Sequence, residues 1–248
     1  MGRRPVLGIM CGNEVSGRPV QSVATRFIAP VTHLCGATVL LVPAVSNAVD
    51  AQAVAGVLDG LLLTGARSHV SPARYGGEEN GDSGVIDAER DAVALELAGR
   101  MIDRRKPVYG ICRGLQEINV LFGGTLAPPA HAGRHHRGSW DEEYASLFEH
   151  RHAVDLVDGG VLAQAAGCQR LNVNSVHQQG IARLGGGLAI EAVSCDDGLI
   201  EAIRAPDCGA DLLAVQWHPE WDVARCTASQ AFFALLGESL RATVSVRH

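Results

Sequence analysis

The sequence predicts an α/β protein with a mainly parallel central sheet and an antiparallel strand section towards its C-terminus. In the first half, continuous apolar runs alternate with segments of helical spacing, which is typical of a parallel sheet covered on both faces. In the second half, several apolar runs follow one another across short turns. The 248 residues, 47% of them hydrophobic, suit one large core without a linker, so we expect a single domain over residues 1–248.

Strands and helices alternate in the first half. Strands are predicted at residues 5–10, 37–42, 58–63 and 106–111. Helices are predicted at residues 21–34, 87–104 and 113–121. Pro30 is expected to kink the first helix and Gly36 to end it, whereas Asp87 is a suitable N-cap for the second. The polar residues 68–86 are predicted to form a long loop.

The second half is predicted to be an antiparallel section closed by a helix. Its strands are expected at residues 152–157, 188–193, 199–204 and 212–216. The sequence Cys-Asp-Asp-Gly at 195–198 has the composition of a hairpin turn between two of them. Residues 224–240 have the spacing of an amphipathic helix.

Charge and hydropathy exclude several classes of function. The formal net charge is −6 and no long run of Lys or Arg occurs, which argues against nucleic-acid or membrane-surface binding. No apolar stretch approaches the roughly 20 residues needed to span a bilayer. The apolar run at 6–11 is too short for the core of a signal peptide. We therefore expect a cytoplasmic protein with a small-molecule substrate and neither a nucleic-acid nor a membrane partner.

The cysteine pattern predicts reduced thiols and neither a metal site nor a cofactor. The chain contains seven cysteines, an odd number, and no C-x-x-C pair. Zinc-ribbon and thioredoxin-type functions are therefore disfavoured, and most of the thiols are expected to be inert in a reducing compartment.

Cys112 has the setting of a nucleophile. It follows the buried strand 106–111 directly and begins a helix, with Gly110 and Gly114 two positions to either side. This is the strand–turn–helix pattern of a nucleophile elbow, in which a strained central residue needs small neighbours. The helix N-terminus favours a thiolate, and the backbone N–H of Arg113 is placed to stabilise an oxyanion. The alternative is a buried structural cysteine at a tight turn.

His218 and Glu220 are the candidate base and its orienting carboxylate. They lie two residues apart after the strand 212–216, so in an extended segment both side chains point to one side. Pro219 between them prevents the strand from continuing. A carboxylate in this position holds an imidazole in the tautomer that a nucleophile requires. The alternative is a histidine at a strand end that bonds a neighbouring glutamate without a catalytic role.

These segments together resemble a known family. Gly-Ile-Cys-Arg-Gly-Leu-Gln at 110–116 and His-Pro-Glu at 218–220 are similar to the signatures of the class I glutamine amidotransferase-like superfamily. Within it, the chain resembles the γ-glutamyl-γ-aminobutyrate hydrolase group from about residue 5 to residue 240. The narrower resemblance is carried by residues 112–117, 173–180 and 216–221, with further likeness at 72–76 and 87–91.

The resemblance implies a flavodoxin-like three-layer α/β/α sandwich and a catalytic triad of Cys112, His218 and Glu220. It implies a γ-glutamyl thioester on the cysteine, hydrolysed by water, with no cofactor. The second oxyanion donor is expected after the strand 58–63, at Gly65 or Ala66, where the sequence departs slightly from the group. The residues expected to hold the glutamyl group are Gln116, Asn174, Ser175, Val176 and His177.

Other polar residues carry less specific signals. Five histidines occur in the region 128–152, without the spacing of a metal site, and a solvated mobile loop is the preferred interpretation: His131, His135, His136, His150 and His152. Arg134 and Arg137 of this loop are candidates for contact with a substrate carboxylate. Tyr75, Arg90 and Trp221 are candidates for the pocket lining, with packing or surface salt bridges as equal alternatives.

Several functions remain open at this stage. The preferred one is a stand-alone hydrolase of γ-glutamyl amides in polyamine, or putrescine, breakdown. A glutaminase subunit that passes ammonia to a synthetase partner is the alternative. A non-catalytic binding protein and a folate polyglutamate hydrolase are disfavoured, by the complete triad and by the missing secretory signal respectively. The sequence fixes neither the leaving amine nor the oligomeric state, and a homodimer is compatible with it.

Overall fold

The computed structural model describes residues 3–77, 84–126, 135 and 146–246. The strands in chain order are β1 (Val6–Met10), β2 (Gly12–Val15), β3 (Pro19–Ser22), β4 (Thr38–Val42), β5 (Gly60–Leu63), β6 (Val108–Ile111), β7 (Thr125–Leu126), β8 (Arg151–Leu156), β9 (Arg170–Asn174), β10 (Ile181–Arg183), β11 (Ala189–Ser194), β12 (Ile200–Arg204) and β13 (Leu212–Val215). The helices are α1 (Ile28–His33), α2 (Ala51–Val57), α3 (Ala88–Asp103), α4 (Arg113–Leu121), α5 (Val161–Ala166) and α6 (Thr227–Val246).

One nine-stranded sheet runs through both halves of the chain, in the order β4-β1-β5-β6-β13-β12-β11-β8-β9. The five strands from β4 to β13 are parallel to their neighbours. From β13 to β9 every pairing is antiparallel. The predicted combination of a parallel sheet and a C-terminal antiparallel section is therefore confirmed.

Helices cover both faces of this sheet. Neighbouring residues of one strand point to opposite faces, so Leu62 packs into one core and Leu61 and Leu63 into the other. The first core contains residues of α1, α5 and α6, and the second contains residues of α2, α3 and α4. The three-layer α/β/α architecture expected from the family resemblance is confirmed, whereas the assignment of residues 1–248 to one domain stays a prediction.

The helix predicted at residues 21–34 is confirmed over residues 25–33, as a 3₁₀ turn followed by α1, but its predicted start is wrong. Residues 12–22 form a β2–β3 hairpin, with Gly17 at a φ of 67° in its turn, and α1 is only six residues long. Asn13 fixes the hairpin, because its side-chain amide donates to Asp87 at 2.8 Å and to the Ala44 carbonyl at 2.8 Å. Pro30 causes no kink, since it lies in the first turn of α1, where its missing N–H costs nothing.

Capping residues stabilise the ends of three helices. One of them, α3, was predicted from the sequence, whereas α2 and α5 were not. Asp87 is the N-cap of α3, as predicted, and accepts from the Arg90 N–H at 3.0 Å. Asp50 caps α2 in the same way, and Gly167 ends α5 at a φ of 67°. Both missed helices have fewer than eight residues, too short for a clear periodic pattern. Within the described part of the chain, no helix is both long and apolar enough to cross a bilayer.

A glycine pair tests the packing of α4 on the sheet. A methyl group at Gly114, in the first turn of α4, would overlap the carbonyl oxygen of Leu63 in β5. Gly114→Ala is therefore expected to lower the free energy of unfolding by about 1–3 kcal/mol. Gly99→Ala, in the middle of α3 with open space around it, is expected to raise it by about 1 kcal/mol.

Urea unfolding of both variants beside the parent measures the two effects. Equal effects of the same sign, or a stable Gly114→Ala protein, would contradict this packing.

Candidate active site

Cys112 lies at a strained turn between β6 and α4. Its φ of 52° and ψ of −101° fall in a region that residues other than glycine rarely occupy. The Cys112 N–H donates to the Val215 carbonyl at 2.8 Å, which ties the turn to β13. A methyl group at Gly110 would lie 2.7 Å from the backbone carbon of Gly114. Only small residues allow this close return of the chain, as the sequence pattern predicts.

His218 reaches Cys112 because their strands are neighbours. Ile111 of β6 pairs with Val215 of parallel β13, so both residues follow strand ends at the same edge of the sheet. The Cys112 side chain lies beside the His218 imidazole on the wall of one cavity and acts on its charge. On the other side of the ring, Nδ1 lies 2.6 Å from Oε1 of Glu220. Cys112, His218 and Glu220, which were predicted from the sequence, are thus neighbours in this order.

The charges around His218 favour its protonated form. Burial alone would lower the pKa of the imidazole, but the negative charges of Glu220 and Cys112 outweigh this effect. The pKa of His218 is therefore raised well above its ordinary value of about 6.5. The arrangement suits a thiolate–imidazolium pair held by a carboxylate.

The backbone and ring of His218 are held from several directions. Asn174 accepts from the His218 N–H at 2.8 Å and donates to its carbonyl at 2.9 Å. The Phe148 ring meets the imidazole edge-on at 5.2 Å between centroids. Gly65 lies against the ring, where a methyl group would be 2.5 Å from Cε1. His218 therefore has little freedom to turn away from Cys112.

A buried ion-pair network lies beneath the turn at Cys112. Arg113 contacts Asp91 at 2.6 Å and also pairs with Glu117. Arg90 contacts Glu117 from the other side at 3.0 Å, and all four side chains are at most 1% exposed. Arg90 is therefore neither a surface residue nor part of a surface salt bridge, which corrects one of the sequence-based alternatives.

The same arginines hold the loop that follows β5. Arg90 donates to the Thr64 hydroxyl at 3.3 Å and to the Thr64 carbonyl. Arg113 donates to the carbonyls of Ser68 at 3.0 Å and His69 at 3.2 Å. Both ends of the 64–69 loop are thus fixed to α3 and α4. The predicted oxyanion donors lie on this loop and on the backbone of Arg113 itself.

A cavity of about 640 Å³ opens over these groups. It brings together most of the residues predicted from sequence: Cys112, Arg113, Gly65, Ala66, Gln116, Val176, His177, His218 and Glu220. Gln116 is held within its wall, since its side-chain amide donates to the Gln179 carbonyl at 2.8 Å.

Two candidates for substrate contact and two for the pocket lining do not line this cavity, whereas Arg90, the third lining candidate, does. Asn174 holds the His218 backbone, and the Ser175 hydroxyl donates to the His135 carbonyl at 2.7 Å. Trp221 stacks on Phe148 at 3.8 Å, behind the imidazole. Tyr75 packs against an apolar cluster apart from the cavity.

Several cavity residues were missed from sequence. The β2–β3 hairpin contributes Asn13 and Glu14, and the segment after it contributes Arg26. Arg67 and His69 extend the wall beyond the predicted oxyanion loop. No motif marks Arg26, whereas the position of Arg67 beside Gly65 and Ala66 was a usable signal.

The histidine-rich region is only partly described, and two of its histidines correct the prediction of a solvated loop. His135 is 2% exposed and His152 is 7% exposed, and both contact the buried Glu201. His150 is half-buried. The remaining members of the prediction lie outside the described residues: His131, Arg134, His136 and Arg137.

Comparison with known proteins identifies the family to which this chain belongs. A family model described as peptidase C26 matches residues 5–220. A γ-glutamyl-γ-aminobutyrate hydrolase of Escherichia coli O157:H7 is 34% identical over 92% of this chain and 91% of its own length. The γ-glutamyl-γ-aminobutyrate hydrolase PuuD of Escherichia coli K12 is 33% identical over the same shares.

Other similar proteins have names that refer to amidotransferases or to a synthase. A protein of Mycobacterium tuberculosis, named provisionally as a glutamine amidotransferase, is 35% identical over 88% of this chain and 70% of its own length. The crystal structure of a Thermoplasma acidophilum protein, named provisionally as one component of a GMP synthase, has a TM-score of 0.65. It is 17% identical, with 99% of this chain and 98% of that chain covered, and so shows the fold alone.

The resemblance seen in the sequence is therefore confirmed. The chain belongs to the glutamine amidotransferase-like peptidase C26 family and is a hydrolase that acts on C–N amide bonds.

Proposed function

We propose that this hydrolase cleaves the γ-glutamyl amide bond of γ-glutamyl-γ-aminobutyrate or a related γ-glutamyl amine. The observation that carries the proposal is the line from Cys112 through His218 to Glu220 on the cavity wall. The 33–34% identity to two γ-glutamyl-γ-aminobutyrate hydrolases, over 92% of the chain, supports the substrate class. Glutamate release from such conjugates tests it directly.

In the proposed first step, the Cys112 thiolate attacks the γ-carbonyl carbon. The oxyanion that forms is stabilised by the backbone N–H of Arg113 and by an N–H of Gly65 or Ala66. The His218 imidazolium donates its proton to the departing amine as the C–N bond breaks. The amine leaves, and a γ-glutamyl thioester remains on the cysteine.

In the proposed second step, water replaces the amine. The now neutral His218 removes a proton from this water, which attacks the thioester carbonyl. The C–S bond breaks, glutamate leaves, and the thiolate–imidazolium pair is restored. Glu220 accepts the Nδ1 hydrogen bond at 2.6 Å throughout, so that Nε2 is the nitrogen that exchanges protons.

Two cationic side chains of the cavity wall suit the carboxylates of the proposed substrate. Arg26 and Arg67 line the cavity, and γ-glutamyl-γ-aminobutyrate carries a carboxylate at each end. A role for Gln116, Val176 and His177 in holding the glutamyl group is part of the same proposal. So are a place in polyamine (putrescine) catabolism and a cytoplasmic location. Homodimer formation stays a prediction.

A glutaminase subunit of a partner-dependent amidotransferase is the second candidate, favoured by the provisional name of the mycobacterial relative. A panel of γ-glutamyl-γ-aminobutyrate, other γ-glutamyl amines and glutamine separates the two. Turnover of the conjugates by the isolated protein supports the hydrolase. Turnover of glutamine alone, stimulated by a co-purifying synthetase, supports the amidotransferase.

Cys112→Ala is expected to lower kcat/KM for the preferred conjugate by about 10³-fold or more, because no other group replaces the nucleophile. Cys208→Ala removes a partly exposed thiol far from the cavity and serves as the matched control with parent activity. Steady-state glutamate release measures both. A Cys112→Ala protein with more than a tenth of the parent rate would sink the assignment.

The protonation of His218 is open to direct measurement. Because folding raises its pKa, the charged imidazole stabilises the fold fully below a pH of about 6.5, and this contribution is lost as the pH rises through the raised folded-state pKa. An NMR titration of the His218 Cε1–H, assigned by loss of the signal in His218→Gln, is expected to have its midpoint above that value. In Cys112→Ala the midpoint falls, since one negative charge is gone. An unchanged midpoint in that variant would contradict the ion pair.

Asn174 distinguishes a positioning residue from a substrate contact. Asn174→Ala removes both hydrogen bonds to the His218 backbone, so kcat is expected to fall by about 10²-fold with little change in KM. Asn172→Ala, at an exposed position of the same strand, is the control. A rise in KM at constant kcat would instead assign Asn174 to substrate binding.

A further inference from the structure

Three histidines surround one buried glutamate behind the cavity wall. Glu201 of β12 is 0% exposed, and its Oε1 lies 3.2 Å from His152 Nε2, 3.5 Å from His177 Nε2 and 3.6 Å from His135 Nδ1. None of these contacts has the geometry of a hydrogen bond, and both Glu201 oxygens lack a hydrogen-bond partner among the described residues. A buried carboxylate without such partners is costly, so the cluster calls for an explanation.

The outer hydrogen bonds of two histidines fix which nitrogen faces the glutamate as an acceptor. His135 Nε2 lies 3.0 Å from Asp197 Oδ2, and His177 Nδ1 lies 3.1 Å from the Gln179 carbonyl. Carboxylates and carbonyls only accept, so each of these nitrogens carries the hydrogen. In the neutral rings, the remaining nitrogens then point lone pairs at the Glu201 carboxylate. Lone pairs that converge on a buried carboxylate are stable only with a positive charge among them, either a proton on one imidazole or a bound metal ion.

The arrangement is that of a metal site. His135 Nδ1, His177 Nε2 and an oxygen of Glu201 all lie within 4.8 Å of one another. Ligands bound tetrahedrally at about 2.0–2.2 Å lie about 3.3–3.6 Å apart, which agrees with the 3.5 and 3.6 Å between these nitrogens and the carboxylate oxygen. A carboxylate or carbonyl on the outer nitrogen is the usual support of a metal-bound histidine.

We propose that His135, His177 and Glu201 bind a divalent first-row transition metal ion of the zinc type. Two imidazoles and one carboxylate are a ligand set that zinc commonly takes. His152, which contacts the same carboxylate oxygen from β8, orients Glu201 or completes the coordination. This site departs from the sequence-based expectation of no metal, because the ligands come from segments far apart in the chain.

The metal ion stabilises one wall of the active-site cavity by joining the segments that form it. His177 lines the cavity, and the Gln179 carbonyl that it contacts also accepts from Gln116 in the first turn of α4. Ser175 holds the backbone of His135 through its hydroxyl. The metal thus joins His135, the 174–179 segment and β12 at one point. Its role is structural and separate from the proposed chemistry at Cys112.

Cobalt titration of metal-stripped protein tests the site. The parent is Cys112→Ala, which removes a thiolate able to bind metal beside His218. One Co²⁺ per chain, with visible d–d bands of a tetrahedral site and displacement by Zn²⁺, is expected. Glu201→Gln and His177→Gln are expected to lose these bands, whereas the exposed His33→Gln retains them.

Asp197→Asn is expected to weaken metal binding without abolishing it. Its side chain supports His135 without contacting the ion, so metal affinity is expected to fall by about 10–100-fold. Absence of stoichiometric binding by the folded parent, or undiminished binding by both Glu201→Gln and Asp197→Asn, would overturn the site. In that case the cluster holds a proton instead of a metal.

If the cluster variants do not fold, X-ray absorption spectroscopy of the zinc-loaded Cys112→Ala protein still tests the proposal, because it reports the metal ligands directly. A first shell of nitrogen and oxygen only, with scattering from at least two imidazoles, supports the proposal. A sulfur ligand or a single imidazole refutes it. Because every arm lacks Cys112, the result is independent of whether the proposed hydrolysis is correct.

Discussion

The buried ion pairs among Arg90, Glu117, Arg113 and Asp91 are the interaction on which the active-site architecture depends. They connect α3 to α4, and through Thr64 and Ser68 they also fix the loop after β5. Removing one partner of such a buried pair costs about 3–5 kcal/mol, because the remaining charge is left without compensation. The network therefore couples the stability of the fold to the position of the 64–69 loop and of the first turn of α4 beside Cys112.

Preorganisation around Cys112 follows from this support. A strained residue persists only where its surroundings determine its conformation, and here the β6–β13 pairing, the close-packed glycines and the buried network do so together. His218 is likewise fixed at two points, by Asn174 at its backbone and by Glu220 at its ring. The negative charges beside His218 raise its pKa and so favour the protonated form that the proposed mechanism requires of it.

Much of this arrangement could be predicted from the sequence, for identifiable reasons. The strands of the parallel section are continuous apolar runs, which sequence patterns detect well. The Cys112 and His218 segments each follow the end of a strand and carry a distinctive local motif. Their closeness in space could therefore be expected once the two strands were placed in one parallel sheet. The β2–β3 hairpin could not be predicted, because Asn13 is held by Asp87, 74 residues away. The roles of Asn174 and Glu201 were hidden for the same reason: each depends on a partner from another strand or loop, which no local spacing records.

In the proposed mechanism, Cys112 carries the glutamyl group during hydrolysis. Acid-quenching the protein within its first turnover of an activated γ-glutamyl substrate, and then measuring the mass of the Cys112 peptide, detects this intermediate. We expect the mass of that peptide to increase by one γ-glutamyl acyl group, and this adduct to disappear as free glutamate is released. Product release without any such adduct, or an adduct on one of the other six cysteines, would contradict this mechanism.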